Sequence, residues 1–309
     1  MSGDIYEVII IGGGPAGLTA GLYASRAGLT TVLIEKGIFG GQINYAEHVE
    51  NFAGFPEGIS GIELGEKLRV QAEKHRLKTI PAEVTGLEIK GEQKTIITTD
   101  GDFTGRAIIL AGGAVRKKLG VEGESRLTGR GVSYCAVCDA AFFHDQKMAV
   151  VGGGDTAITE ALHLAKVAFK VTIIHRRNQL RAAHILQEKL LSEPKIDFIW
   201  DTIVSAIEGK DNVERLRLLN IKTNQSSILE VSGVFISVGT NPDTEYLRGI
   251  LPLDESGYII TNEKMETPIP GVLAAGDIRH NSARQAITAA GDGATAAIYA
   301  QKYLTESTV

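Results

Sequence analysis

Cysteine is nearly absent from this chain: 309 residues contain two, Cys135 and Cys138. Tryptophan occurs once and methionine three times. No apolar run approaches the ~18 residues of a membrane span, so no membrane partner is expected. No basic run exceeds three residues and the net charge is −5, which argues against nucleic acid as a partner. The opening Met1-Ser2-Gly3-Asp4 carries an acid and no basic region, so no secretory signal is expected. The seven histidines show no metal-ligand spacing and there is no second cysteine pair, so no metal site is expected.

The two cysteines form one C-x-x-C, within Ser133-Tyr134-Cys135-Ala136-Val137-Cys138-Asp139. Three readings compete: half a zinc site, an inert staple, and a redox dithiol. Zinc lacks its remaining ligands. So short a loop stabilises little as a staple. A redox dithiol suits the spacing, because the sulfurs can exchange between dithiol and disulfide and each favours the thiolate of the other. Asp139 is the nearest titratable group able to relay a proton, although an acid there also suits a turn or cap. A pair that must cycle fits a reducing, cytoplasmic compartment.

Length suggests about two domains. Hydrophobic content of 43% and charged content of 22% are globular values. Glycine is abundant, with 36 residues, and much of it is clustered. That pattern points to tight turns around ligands.

Glu7-Val8-Ile9-Ile10-Ile11 reads as a buried parallel strand. It runs into Gly12-Gly13-Gly14-Pro15-Ala16-Gly17, a G-x-G-x-x-G, and then into a helix that Gly28 can end. A second strand, Thr30 to Ile34, ends at Glu35. Gly12 permits the turn, Gly14 lets backbone amides approach a pyrophosphate, and Gly17 lets helix and strand pack closely. Glu35 stands where an acid reads ribose hydroxyls. With all these parts in place the unit suits a dinucleotide with a free 2′-hydroxyl, such as FAD or NAD. Gly40-Gly41-Gln42 and Asn51 read either as surface turns or as backbone and amides against a planar heterocycle. Glu63 to Leu77 is expected as an amphipathic helix, Lys94 to Thr99 as part of a hairpin, and Arg106 to Leu110 as a buried strand closing at Ala111-Gly112-Gly113-Ala114.

A second unit follows. Met148 to Val151 is a strand, Gly152-Gly153-Gly154-Asp155-Thr156-Ala157 is G-x-G-x-x-A, and a helix and the strand Val171 to Ile174 come next. Gly12 and Gly152, Gly14 and Gly154, Gly17 and Ala157, and Glu35 and His175 are each 140 residues apart, so two dinucleotide units share one register. The ribose position carries no acid here. It reads His175-Arg176-Arg177, with Arg181 four residues on. Arginines pair with a 2′-phosphate where an acid would repel it, so this unit suits NADPH. Gly233 to Val238 is one more strand, ending at Gly239. Val272 to Ala275 runs into Gly276-Asp277, an acid placed to bond a cofactor polyol. Ser282 to Ala286 opens a helix, Ile287 to Tyr303, expected to be interrupted by Gly291 and Gly293. Its N-terminus can support negative charge on a reduced flavin, or it is a plain C-terminal helix.

These parts make a single electron path. NADPH gives a hydride, a disulfide accepts two electrons as it opens, and a flavin is the carrier between them. The expected order is NADPH at the second loop, FAD at the first, Cys135–Cys138, and then an external disulfide.

The chain resembles the low-molecular-weight thioredoxin reductases over essentially its whole length. The resemblance rests on Gly12 to Gly17, Gly40-Gly41-Gln42, Cys135 to Asp139, Gly152 to Ala157, His175-Arg176-Arg177 with Arg181, Gly276-Asp277 and Arg284-Gln285-Ala286. It implies an α/β fold of two Rossmann-like domains. A discontinuous FAD domain (residues 1–114 and 243–309) would carry an inserted NADPH domain (115–242) that holds the C-x-x-C. It implies a homodimer, thioredoxin as the protein substrate, Cys138 as the flavin-proximal sulfur, Cys135 as the attacking one, and Asp139 as acid and base. FAD would meet Gly12, Gly14, Pro15, Ala16, Gly17, Glu35, Lys36, Gly40, Gly41, Gln42, Asn51, Val84, Ala111, Gly112, Gly276, Asp277, Arg284, Gln285 and Ala286. NADPH would meet Gly152, Gly154, Asp155, Thr156, Ala157, His175, Arg176, Arg177, Arg181 and Gly239. One domain would rotate on the other about linkers near Ala114-Val115 and Pro242-Asp243.

The chain departs from the family pattern at Ala140, at Ala111 to Ala114 and at Gly239 to Asp243, none of which touches the redox pair. Rival readings fit less well. An alkyl hydroperoxide reductase flavoprotein needs an N-terminal extension, whereas this chain is expected to start at its first strand. Ferredoxin-NADP reductases of the same fold lack the C-x-x-C, and ferredoxin-driven relatives lack the arginines. Other disulfide acceptors, glutaredoxin-like or peroxiredoxin-linked, and a non-catalytic flavin and thiol sensor remain the alternatives.

Overall fold

Ile5–Ile11 is a strand in the computed structural model because its β-branched run is buried on both faces of a sheet. The structure describes residues 5–46 and 48–306, with the side chain of Val137 also left aside. The signal-peptide reading of Met1 to Asp4 therefore lies outside the described residues.

The chain divides into two compact units, Met1–Val115 with Asn241–Val309, and Arg116–Thr240. It passes between them through the short strands Ala114–Arg116 and Thr240–Pro242, which pair with each other.

In the first unit, Lys78–Pro81, Thr31–Glu35, Ile5–Ile11 and Phe103–Leu110 lie side by side and parallel. Along the other edge of Phe103–Leu110, two partners share the strand. Gln93–Thr98 pairs antiparallel with its first half and forms a hairpin with Val84–Lys90, while Val272–Ala274 pairs parallel with its second half. Thus the segment that returns after the second unit completes a sheet begun before it. One face of the sheet packs on the helices Pro15–Arg26 and Ala286–Glu306 through Val8, Ile10, Ile109 and Leu273. The helix expected from Glu63 runs from Gly61 to Glu73, its first turn capped by the Ser60 hydroxyl, which accepts the Glu63 amide at 3.2 Å.

The second unit repeats the plan. Ile196–Ile199, Lys170–Ile174, Lys147–Gly152, Gly233–Ser237 and Val132–Ser133 form one parallel sheet in that order. Helix Asp155–Ala165 covers one face through Ile158, Ala161 and Leu164. An antiparallel meander, Thr202–Glu208, Arg215–Asn220 and Ser226–Glu230, follows the parallel strands.

One expectation is corrected. Gly291 and Gly293 do not interrupt the last helix, which runs unbroken from Ala286 to Glu306. A Cβ on Gly293 would stand 2.0 Å from the Ala16 carbonyl oxygen. The glycine is there for close helix packing, and the helix tolerates it because that packing outweighs its low propensity.

Among the described residues no helix is long and apolar enough to cross a membrane. Gly17 makes a closer approach than Gly293, since a Cβ there would lie 1.8 Å from the Gly12 carbonyl oxygen. Gly14 is open by comparison, with its nearest neighbour at 3.9 Å. Gly17→Ala should therefore cost about 1–3 kcal/mol of apoprotein stability in urea unfolding, and Gly14→Ala close to none. Equal losses at the two positions would contradict this account of the turn.

Candidate functional site

The first glycine loop sits where three parallel strands end. Gly12 takes a left-handed φ of 104°, and a Cβ on it would press on the Ala111 carbonyl at 2.3 Å and the Gly112 nitrogen at 2.8 Å. Helix Pro15–Arg26 begins immediately, with Pro at its first position, no side-chain cap and no acid in its first turn. Its leading amides are left for an anion. Gly40 and Gly41 come to the same turn: the Gly40 amide donates to the Gly13 carbonyl at 2.7 Å, and Gly41 stands against Gly14. Gln42 follows, itself exposed, on the half-buried turn Gly41–Tyr45. Glu35 ends its strand with its carboxylate accepting the Gly13 amide at 2.5 Å and the Gly37 amide at 2.7 Å. Lys36 pairs with Asp243 at 2.8 Å and with Glu83 at 3.6 Å. Glu35, Lys36 and Val84 line one pocket with Gly12 and Gly112.

The returning segment closes the group. Gly276 packs on Ala16, and its amide donates to Asp292, which also takes a two-point ion pair from Arg279. Asp277 is half-buried. Burial pushes its carboxyl up, opposed by the Ser282 hydroxyl. Asn51, Arg284 and Gln285 form a neighbouring cluster: the Asn51 amide donates to the Gln285 side chain at 3.0 Å, and Arg284, at a left-handed φ of 55°, donates to the Tyr258 hydroxyl at 3.0 Å. Ala286 is the first residue of the long helix. An uncapped helix start, an open Gly14 and a half-buried carboxylate fit the pyrophosphate and polyol of a flavin dinucleotide.

In the second unit Gly154 is open, with nothing within 4 Å of a Cβ built there, and the helix it starts also lacks a side-chain cap. Ala157 is buried behind the turn, whereas Thr156 is exposed. Asp155 is occupied by the backbone, because its carboxylate accepts the Ala183 amide at 2.7 Å. The Arg181 amide donates to the Gly153 carbonyl at 2.7 Å, which folds the arginine segment over the loop. Arg176, Arg177 and Arg181 are exposed. His175 is not: its ring is packed against Gly153 and its Nε2 is enclosed without a hydrogen-bond partner among the described residues. Burial holds the imidazole below its ordinary value, and all three guanidiniums push it the same way. Three guanidiniums around this ring suit an added phosphate. Gly239 turns the chain at a φ of 108° just after Gly233–Ser237.

The redox pair lies at the end of Val132–Ser133 in the same unit. Cys135 and Cys138 are joined as a disulfide with Cα atoms 5.4 Å apart, Cys135 half-buried and Cys138 exposed. The Cys138 amide points to the Cys135 sulfur at 3.2 Å. Three residues that sequence reading passed over hold this segment. The buried Ser133 hydroxyl donates to the Asp139 carboxylate at 2.6 Å and accepts the Cys135 amide at 3.0 Å. The buried Glu160, on the helix of the second glycine loop, pairs with Arg116 and accepts the Ser237 hydroxyl and the Ala136 amide. Burial pushes its carboxyl up, against the pull of these three partners. The buried Glu124 accepts the Tyr134 hydroxyl at 2.6 Å and the Leu119 and Gly120 amides at 2.9 and 2.7 Å. No motif announces these carboxylates. Only Ser133 had a signal, its place two residues before the first cysteine.

The hydrogen bonds around Glu124 outweigh its burial and hold its carboxyl below the usual range. Its stabilising contribution is thus full above the unfolded value of about 4.3 and fades as pH falls through the lower folded value. Glu124→Gln should cost about 1–3 kcal/mol at pH 7, and the gap from the parent protein should shrink below about pH 4. A gap that stays constant down to pH 3 in denaturant titrations would contradict the ionised role.

Comparison with known proteins places the chain. The family model for the pyridine nucleotide-disulphide oxidoreductases matches residues 6–293. A thioredoxin reductase of Streptomyces coelicolor is 45% identical over 97% of this chain and 94% of its own length. That of Bacillus subtilis is 46% identical over 98% and 96%. The crystal structure of Lactococcus lactis thioredoxin reductase in its FR conformation superposes with a TM-score of 0.95 at 44% identity, covering 97% of this chain and 99% of that one. A pair of sulfurs beside one of two glycine-loop units, matched along nearly its full length, identifies the chain as a member of the pyridine nucleotide-disulphide oxidoreductases, among the low-molecular-weight thioredoxin reductases.

Proposed function

We propose that this chain is an NADPH-dependent thioredoxin-disulfide reductase, using FAD and the Cys135–Cys138 pair. The observation that carries the reading is the cysteine pair in the same unit as a glycine loop ringed by Arg176, Arg177 and Arg181. Overall, NADPH and one proton reduce the thioredoxin disulfide to two thiols, releasing NADP⁺. The units Met1–Val115 with Asn241–Val309, and Arg116–Thr240, are read as the FAD-binding and NADPH-binding domains.

FAD, when bound, carries two electrons from nicotinamide to the enzyme disulfide. Gly12 and Gly14 admit its pyrophosphate to the amides of Ala16 and Gly17, and Pro15 sets the helix start without spending a donor. Glu35, held by the Gly13 and Gly37 amides, keeps lone pairs for ribose hydroxyls. Asp277 accepts from the polyol. Arg176, Arg177 and Arg181 take the 2′-phosphate of NADPH, while the backbone of Gly152, Gly154 and Ala157 receives its pyrophosphate.

On the protein substrate, the Cys135 sulfur attacks the thioredoxin disulfide, giving a mixed disulfide and one free thioredoxin thiolate. Cys138 then attacks Cys135, which closes the enzyme disulfide and releases the second thiolate. The Cys138 amide aimed at Cys135 favours the Cys135 thiolate and supports this order. Asp139 exchanges the proton needed by the departing thiolates, its carboxylate kept in place by Ser133. The working form is read as a cytoplasmic homodimer.

Purified protein should be yellow, oxidise NADPH in the presence of oxidised thioredoxin and stop without it. Cys135→Ser and Cys138→Ser should retain FAD yet lose thioredoxin turnover. Arg176→Ala should lower kcat/KM for NADPH by roughly 10–100-fold, the worth of one charged hydrogen-bonded contact, and leave NADH nearly unchanged. Flavin bleaching without thioredoxin turnover would move the acceptor elsewhere. No bleaching by NADPH would sink the arginine assignment.

A further inference from the structure

The chain's one tryptophan has no role so far. Trp200 stands directly after strand Ile196–Ile199, beside the tip of Lys170–Ile174. The His175 amide donates to the Ile199 carbonyl and the His175 carbonyl accepts the Thr202 amide, so Trp200 and His175 lie side by side. Their rings meet edge to face, 6.3 Å apart at 73°. Trp200 also stacks flat on Phe198, at 4.9 Å and 4°, and Phe198 packs on the core of the unit. The His175 ring in turn lies on Gly153 and hydrogen-bonds the backbone of Gln179, within the arginine segment. The next residue adds a second hold. Asp201 takes a left-handed φ of 52°, its amide donates to the Arg177 carbonyl at 3.3 Å, and its carboxylate pairs with Lys222 at 3.0 Å. A non-glycine residue persists in that conformation only where its surroundings fix it, and such places gather at functional sites.

We propose that Trp200 is a positioning residue for recognition of the 2′-phosphate, acting through the His175 ring on the segment that carries Arg176, Arg177 and Arg181. The proposal rests on the reading that the second glycine loop takes NADPH. Residues 176–181 form no helix or strand, and their three guanidiniums are exposed and repel one another. Left alone such a segment spreads, whereas two-point pairing with a phosphate needs its backbone already in place. The column Phe198, Trp200, His175 supplies that floor from the core outward. An aliphatic side chain at position 200 would fill space but could not stack on Phe198 while meeting the imidazole ring. NADH carries no 2′-phosphate and makes no demand on the segment, so the effect is confined to NADPH.

The test uses the FAD-loaded full chain and adenosine 2′,5′-bisphosphate, with 5′-AMP as the ligand that lacks the 2′-phosphate. Trp200→Leu should raise the calorimetric Kd for the bisphosphate roughly tenfold and leave that for 5′-AMP unchanged, the loss of one well-placed charged contact. In turnover, KM for NADPH should rise by a similar factor at unaltered kcat, with kcat/KM for NADH the same. Trp200→Phe, which keeps a ring in the column, should stay near the parent. In the parent protein the bisphosphate should shift tryptophan emission, which Trp200 alone supplies, and 5′-AMP should not. Equal weakening of both ligands in Trp200→Leu would overturn the proposal by making the ring a general support of the unit, and so would an unchanged Kd for the bisphosphate. The emission measurement needs no variant: bisphosphate binding that leaves it unmoved would overturn the proposal even if Trp200→Leu does not fold. A parent that binds the bisphosphate no better than 5′-AMP would instead overturn the underlying NADPH reading, so the two failures are distinguishable.

Discussion

The fold of the first unit depends on backbones that touch where side chains are missing. Gly17 sits so close to Gly12 that a single methyl would collide with its carbonyl, and Gly293 sits as close to Ala16. The helix Pro15–Arg26 is thereby clamped between the sheet and the last helix of the chain. Residues nearly 280 positions apart meet at the loop that also has to approach a pyrophosphate. Packing and ligand approach thus make the same demand, which is bare backbone, and glycine is the residue that meets both.

That coincidence explains what was legible. The glycine loops, the strands before them and the offset of 140 residues could be read directly, because mechanical need fixes residue type at fixed spacing. The place of the arginine segment could be read for the same reason, since His175 follows Gly152 at the spacing by which Glu35 follows Gly12. The continuous last helix was not legible. Gly293 read as a break because its partner, Ala16, is invisible in the local pattern. Nor were Glu124 and Glu160 legible, since a glutamate in sequence looks exposed and only the fold shows it buried with partners.

The repeat also shows how one scaffold is given two tasks. Both units place a residue at the C-terminal tip of the strand after the loop helix against the middle glycine of the loop. In the first, Glu35 grips the Gly13 amide; in the second, the His175 ring lies on Gly153. The contact survives while the charge is lost. A carboxylate at that place would pair with the neighbouring arginines and cancel the field that a 2′-phosphate needs. An imidazole held below its ordinary value, by burial first and then by those same arginines, fills the space and leaves their charge intact.

The redox pair is held by a different logic. The C-x-x-C segment is too short to fix its own geometry, so its order is imposed from outside by buried oxygens. Ser133 fixes Asp139 and the Cys135 amide, Glu124 holds Tyr134, and Glu160 holds Ala136. The two glutamates respond to protons in opposite senses. Glu124 is surrounded by donors that favour its charge, so acid weakens its hold. Glu160 is burdened by burial, so its charged form is the costlier one and its share of stability falls as pH rises past the ordinary carboxylate range. Glu160 tolerates that cost because Arg116 and two hydrogen-bond donors share its site, and a buried carboxylate stripped of those partners would be far less stable. The segment that must trade electrons is therefore anchored on either side of Cys135, at Tyr134 and Ala136, by carboxylates whose weaknesses fall at different pH, and acid does not release both anchors together.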